Sequence, residues 1–500
     1  MLVALCGVLG GATGMRALAE RPDRGAAPPP AAPMPADRPL AVETSAAPQR
    51  NAALYRLALA QVAAGEYREA AERFEALAKG LTAAVGSMPG GTDGDGIDLP
   101  AVLQRAARLR RDLGDSDKYV EDVRLFIRLY GSRKELSEAA AGLFFDVGQH
   151  YEELGATAKL KPHYEEYLKV WGDRGGLDRR LGAEVRLAEL AWRSSCPVPG
   201  VYGVCADLQR QPPLLPLQRR LLVSYDPRNS PRCKGATREP CDPRHRTRYS
   251  PQPRTPALVR EALGHLRTAL RLRELLASPT RTPSPSVLPP DRAEQLDRHS
   301  ARALLLQGDV LLDELMRRPM PTGLYFDPRR FKRGRAPDPA DKRFAAWLAD
   351  ARGRISKAQA LYEPVTRLQG GSAPVVAAAR IGQLYLLLAD TLHRTPLPPP
   401  TPAPAHFDGF LCWKTNWPAE LATAYCDQVT DQTDVLEAWA EQQFQRCVGR
   451  ATELGDASEW ARLCELELYQ LRPETYPLPA EIFAPAGRSD AVLDVAPLSH

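Results

Sequence analysis

The sequence predicts an all-α chain of stacked helical hairpins, interrupted by Pro- and Cys-rich insertions. Three observations carry that expectation. Phe144, Val147, Gly148, Tyr151 and Gly155, followed by Tyr164 and Tyr167, set large residues at helical spacing around two glycines. The same template fits Leu54, Leu57, Ala58, Gly65, Tyr67, Ala70, Phe74 and Leu77, again on amphipathic stretches. The 47 prolines among 500 residues are too many for uninterrupted helices, and they cluster between the periodic stretches.

Within each hairpin, a small residue such as Gly148 lets two helices approach, the large residues fill the seam, and Gly155 ends the first helix at the turn. A single hairpin cannot bury its apolar face alone, so several must stack. Hairpins are expected over residues 51–193, with turns at Gly65, Gly114 and Gly155, and 181–192 reads as the first helix of a fourth. The periodicity breaks over 194–255, a basic, cysteine-bearing insertion. Long helices are expected in 256–318, a basic loop in 319–342 and hairpin-type helices again in 343–395, where Ile381, Gly382 and Tyr385 echo the first-helix template. A Pro-rich insertion with a cysteine pair covers 396–427. A terminal hairpin around Gly455 covers 428–478, and 479–500 reads as a tail.

Residues 1–50 read as an export signal followed by an Ala/Pro-rich tether. Residues 2–8 are apolar, and Ala17-Leu18-Ala19 before Glu20 is a small-residue cleavage pattern. A basic segment ahead of the apolar run is missing, which places the expected start upstream of Met1. The bulky Leu5 before Cys6 fits a lipid-attachment signal poorly. Eight further cysteines fall into local pairs: Cys196 with Cys205, Cys233 with Cys241, Cys412 with Cys426, and Cys447 with Cys464. Eight cysteines allow about 105 connectivities, so spacing alone does not fix them. Cys447 and Cys464 flank Gly455 at nearly equal distance, so a hairpin turn there would bring them face to face for a disulfide. Disulfides and an export signal agree with an oxidising compartment. The spacings around Cys196–Cys241 are too wide for a zinc knuckle.

No catalytic constellation is present. The eight histidines are scattered, and no metalloprotease, phosphate-loop, dinucleotide or nucleophile-elbow motif occurs. No enzyme, metal or cofactor is expected. Glu152-Glu153 and Glu165-Glu166 read as solvated helix faces, and His150 with His163 as ordinary histidines rather than a metal pair. Net charge is only +5, which disfavours a dedicated nucleic-acid binder. Arg329, Arg330, Lys332, Arg333 and Arg335, interleaved with Tyr325, Phe326 and Phe331, form a candidate anion-binding loop for cell-wall or lipid phosphates.

These spacings resemble the tetratricopeptide-repeat (TPR) superfamily, well over 51–193 and loosely over 341–475. The resemblance implies an α-solenoid whose first helices line a groove for a partner segment. By repeat position that groove would present Tyr55, Leu59, Val62, Phe145, Gln149, Glu152, Gln383 and Leu386. Their apolar and acidic character suits an amphipathic helix or a basic extended segment, and the Lys/Asn clamp for a terminal carboxylate is absent. The closing segment Phe444, Cys447, Trp460, Cys464, Leu471, Pro473, Tyr476 and Pro477 is similar to large exported TPR proteins of myxobacteria, some of them parts of gliding-motility machinery. Together these imply a periplasmic or outer-membrane-associated scaffold whose partners are other envelope proteins. Two other readings stand beside it. One is a cell-wall or polysaccharide binding or processing protein that uses the basic insertions. The other is a cytoplasmic adaptor with all its cysteines reduced.

Overall fold

A computed structural model describes residues 46–84, 97–197, 204–210, 247–277, 289–318, 320–321, 339–393 and 419–477. They are mostly helical. The elements are α1 (Ala46–Ala64), α2 (Tyr67–Ala84), α3 (Leu99–Asp112), α4 (Ser116–Tyr130), α5 (Ser137–Glu153), α6 (Thr157–Trp171) and α7 (Leu177–Ser194). Strands β1 (Ala206–Arg210) and β2 (Thr247–Pro251) follow. Then come α8 (Pro256–Ala277), α9 (Pro290–Met316), α10 (Pro339–Tyr362), α11 (Ala373–His393), α12 (Ala419–Leu454) and α13 (Glu459–Leu471).

The glycine turns are where the sequence places them. Gly65, Gly114, Gly155 and Gly455 have φ of 81°, 74°, 65° and 63°. At Gly155 the amide donates to Glu152 O and the next amide, of Ala156, donates to Tyr151 O, at 3.0 and 2.9 Å. The other three turns repeat this pair of bonds. It satisfies the last carbonyls of the first helix and needs a left-handed residue between the helices.

Each helix from α1 to α8 packs on the next in chain order, as do α9 on α10, α10 on α11, α11 on α12 and α12 on α13. Alternate helices also meet: α5 with α7, α7 with α9, α9 with α11 and α11 with α13. Glycines make those approaches close. A Cβ at Gly148 would lie 2.8 Å from the Tyr164 ring, and one at Gly382 would lie 2.6 Å from Phe444. Gly308 on α9 meets the Tyr362 ring in the same way. Gly182 on α7 lies under both Phe145 and His299, each 2.7 Å from where a Cβ would sit. The region that the sequence reads as irregular therefore keeps the packing device of the regular one.

Buried charge ties the same helices together. Arg110, fully buried on α3, reaches Glu75 on α2 at 2.5 Å and Asp115 at 2.9 Å. Arg380 on α11 reaches Asp309 on α9 at 2.7 Å, and its guanidinium lies 4.7 Å from the Trp460 ring centre. Tyr362 Oη donates to Asp309 at 2.8 Å. Such pairs cost desolvation, and removing one partner is more damaging than the pair is stabilising.

Two cysteine pairs lie at disulfide distance. Cys447 and Cys464 join α12 to α13 with sulfurs 2.05 Å apart and both side chains fully buried, as the hairpin around Gly455 requires. Cys196 and Cys205 are bonded at 2.13 Å and tie the end of α7 to β1. The antiparallel pair β1–β2 is not anticipated by the sequence reading. It delivers Arg254 onto the Trp192 ring, 3.7 Å from its centre, and onto Asp313 at 2.9 Å. Helix α12 begins at Ala419, so Cys426 lies on a helix rather than in an insertion ending at 427. After Pro418 no proline interrupts the chain until Pro473, which lets the helix start early. Cys6, Cys233, Cys241 and Cys412, the side chain of Cys426, the basic loop at Arg329–Arg335, the export segment and the tail lie outside the described residues. Helix α11 is long and apolar enough to cross a membrane, but 78% of that stretch is buried among the other helices.

Candidate interaction face

Each groove position of the sequence reading has a definite place. On α1, Tyr55, Leu59 and Val62 share one face. Leu59 is 37% exposed, while Tyr55 and Val62 are half-buried. Tyr55 Oη accepts from Arg105 Nη1 of α3 at 3.0 Å, and its ring packs 6.0 Å from Phe74. This part of the face is open, with one polar bridge to the neighbouring first helix.

On α5 the same face is closed. Phe145 is wholly buried, with ring partners Tyr164, Tyr167 and His299 at 5.8, 5.3 and 5.6 Å. It belongs to the packing rather than to a groove surface. The cause is long-range: Gly182 leaves space for His299 of α9 to reach across α7 and cover Phe145. Gln149 is half-buried. Glu152 is not a solvated carboxylate. It accepts from Tyr164 Oη at 2.9 Å, pairs with Arg186 of α7 at 2.5 Å and lies 3.6 Å from Arg302 of α9. Burial holds its carboxyl above the usual range, opposed by Arg186 and by the Tyr164 bond. Arg186 and Arg302 share Glu189 as well, at 3.3 and 2.6 Å. Further along, Arg292 of α9 clamps Asp178 of α7 with bonds of 3.0 and 2.6 Å and also pairs with Glu138 of α5. Only long-range contact reveals this seam, because its members come from three helices.

On α11 the face is closed too. Gln383 is buried and accepts from Arg380 at 2.8 Å, and Leu386 is buried among α11, α12 and α13 residues. His150 and His163 do not share a site. His150 Nε2 bonds Ser116 Oγ at 2.9 Å, and His163 Nε2 donates to Phe144 O at 2.8 Å. Burial lowers both from the ordinary histidine value. Glu165 and Glu166 are exposed, as expected. Among the described residues no group of three or more His, Cys, Asp or Glu converges as a metal site would. The cleft lined by Val204, Arg254, Asp309, Leu312, Asp313 and Met316 is too tight to admit a water molecule.

A second exposed aromatic region lies on α12. Trp439 and Val435 are each 48% exposed one turn apart, and Trp439 packs 5.3 Å from the half-buried Tyr385. No protein-family model matches this chain, and no characterised protein aligns with it significantly.

Proposed function

We propose that the chain is a TPR-type α-solenoid acting as a non-catalytic protein-interaction scaffold in an exported cell-envelope complex. The observation that carries this reading is the repeated seam. Gly148 and Gly182 stand 34 positions apart, one tetratricopeptide period. With Gly308 and Gly382 they place a glycine under an aromatic or imidazole ring on four alternate helices. A stack of this kind offers a long, rigid surface for a partner. The two cysteine pairs at disulfide distance support an oxidising compartment.

The exposed part of the groove face is where this reading seats a partner. With Phe145, Gln383 and Leu386 enclosed and Tyr55, Val62, Gln149 and Glu152 half-buried, Leu59 of α1 is the exposed groove position. The partner is an amphipathic helix that lays its apolar side on Leu59. Crosslinking mass spectrometry on intact cells tests both compartment and role. The expected result is crosslinks from residues 51–84 to an envelope protein, with Cys196–Cys205 and Cys447–Cys464 oxidised. A chain recovered from the cytoplasm with reduced cysteines and no crosslinked neighbour would overturn the proposal.

A further inference from the structure

The two disulfides differ in how a thiol can reach them. Cys447 and Cys464 are both fully buried, in one cluster with Val375, Ala379 and Phe444. A reductant meets them only when that hairpin opens. Cys205 is buried too, but Cys196 is half-buried and stands between the exposed Ser194 and Pro197 where α7 ends. The Cys196 side of that bond is therefore approachable in the closed fold. What the bond holds is also particular. Arg254 Nη1 donates to Trp192 O and to Ser195 Oγ, both at 2.8 Å, on the last turn of α7. Thr255 N donates to Ser195 O at 2.8 Å, and Gln252 N to Cys205 O at 3.0 Å. The chain thus closes a ring. It runs from the end of α7 through the disulfide to β1, across the ladder to β2, and through Arg254 back to α7. One tie of this ring to α7 is covalent and the other is made of hydrogen bonds.

We propose that Cys196–Cys205 is a thiol-exchange site, opened by a dithiol while Cys447–Cys464 stays closed, and that its opening loosens the β1–β2 pair from the end of α7. One thiolate of the dithiol attacks Cys196 Sγ. The bond to Cys205 breaks, and Cys205 leaves as a thiolate that takes up a proton. The second thiolate of the dithiol attacks the reductant sulfur of the mixed disulfide, releases Cys196 as a thiolate that is protonated in turn, and leaves as a disulfide. Two electrons pass from the dithiol to the chain, and a disulfide oxidant reverses the step. With the covalent tie gone, the hydrogen bonds of Arg254 and Thr255 still hold the strand pair to α7. Val204 and Ala206 remain buried in one cluster with α9 and α10 residues. The change is therefore local: the strands loosen and the helices stay stacked.

Graded dithiothreitol treatment of the native full chain, quenched by alkylation and read by peptide mass spectrometry, tests this. Cys196 and Cys205 are expected to be alkylated at least about tenfold faster than Cys447 and Cys464. In the same samples hydrogen exchange should quicken in 247–255 and stay unchanged in 459–471. The double variant Cys196→Ser with Cys205→Ser should show that gain in 247–255 without reductant, and unchanged helical circular dichroism would show that the stack survives. Both bonds opening together, Cys447–Cys464 opening first, or Cys196 recovered in a bond to another cysteine would overturn the proposal. An opened Cys196–Cys205 with exchange in 247–255 unchanged would overturn it as well. None of these readouts involves an envelope partner, so the scaffold reading stands or falls by its own crosslinks.

Discussion

Helices α1 and α5 carry one template ninety positions apart, yet they live in different surroundings. Tyr55 and Phe145 are equivalent positions. Tyr55 is half-buried with one bridge to Arg105, and Phe145 is sealed under His299, Tyr164 and Tyr167. Leu57 is 44% exposed, and its equivalent Val147 is 3% exposed. The template encodes the hairpin, its turn and its inner seam. What the outward faces become depends on the helices stacked on either side. α5 has α4 before it and α7 and α9 beyond, whereas α1 begins the described stack. An aromatic at the same template position is core in one hairpin and half-buried in the other.

Truncating the two equivalents breaks the comparison most sharply. Phe145→Ala should cost about 3–5 kcal/mol, because the enclosed ring leaves a cavity, while Tyr55→Ala should cost about 1 kcal/mol or less. Urea denaturation of both variants measures the gap, and equal losses would contradict the assignment of Phe145 to the core. Acid should act on the closed region through His299. Its ring is buried, with neither nitrogen hydrogen-bonded among the described residues. Burial first, then Arg186, pulls its pKa from 6.5 to about 3, with Asp178 acting the other way. The fold therefore prefers the neutral ring. That contribution is complete above about pH 6.5 and is lost as pH falls toward 3, a change on the order of 5 kcal/mol. His299→Leu should flatten the fall in stability between pH 6.5 and 4 relative to the unaltered chain, and an unchanged slope would refute this role.

Smaller effects sharpen the contrast. Reducing Cys447–Cys464 frees the α12–α13 hairpin and should cost about 3 kcal/mol at that end, seen as faster hydrogen exchange in 459–471 with α1 unaffected. Gly148→Val should cost about 1–3 kcal/mol by driving a side chain into Tyr164. Leu59→Ala should change stability by less than about 0.5 kcal/mol while weakening capture of the proposed partner, and a large stability loss would remove Leu59 from the open face.

Much of the local architecture is legible in the sequence because it is set by neighbours in the chain. The positive-φ glycines at 65, 114, 155 and 455 terminate first helices wherever they occur. Gly148 against Tyr164 follows from two antiparallel helices joined by that turn. Cys447 with Cys464 follows from symmetry about Gly455. What the sequence hides involves partners far along the chain. Gly308 stands in a stretch without obvious template matches, yet it packs on Tyr362 as Gly148 packs on Tyr164. The pair Glu152-Glu153 looks like a wet helix face until Arg186 and Arg302 are brought to it from α7 and α9. The burial of Phe145 depends on a histidine more than 150 residues away. The strand pair β1–β2 joins segments separated by the longest break in the periodicity.

The central claim is a stack of hairpins closed from α5 through α11 and open at α1. Amide hydrogen exchange of the full chain tests it most directly. The account predicts the slowest exchange in 137–194, 290–316 and 373–392, and the fastest helical exchange in 51–64. Uniform exchange across all helices, or an α1 more protected than α5 and α9, would contradict it.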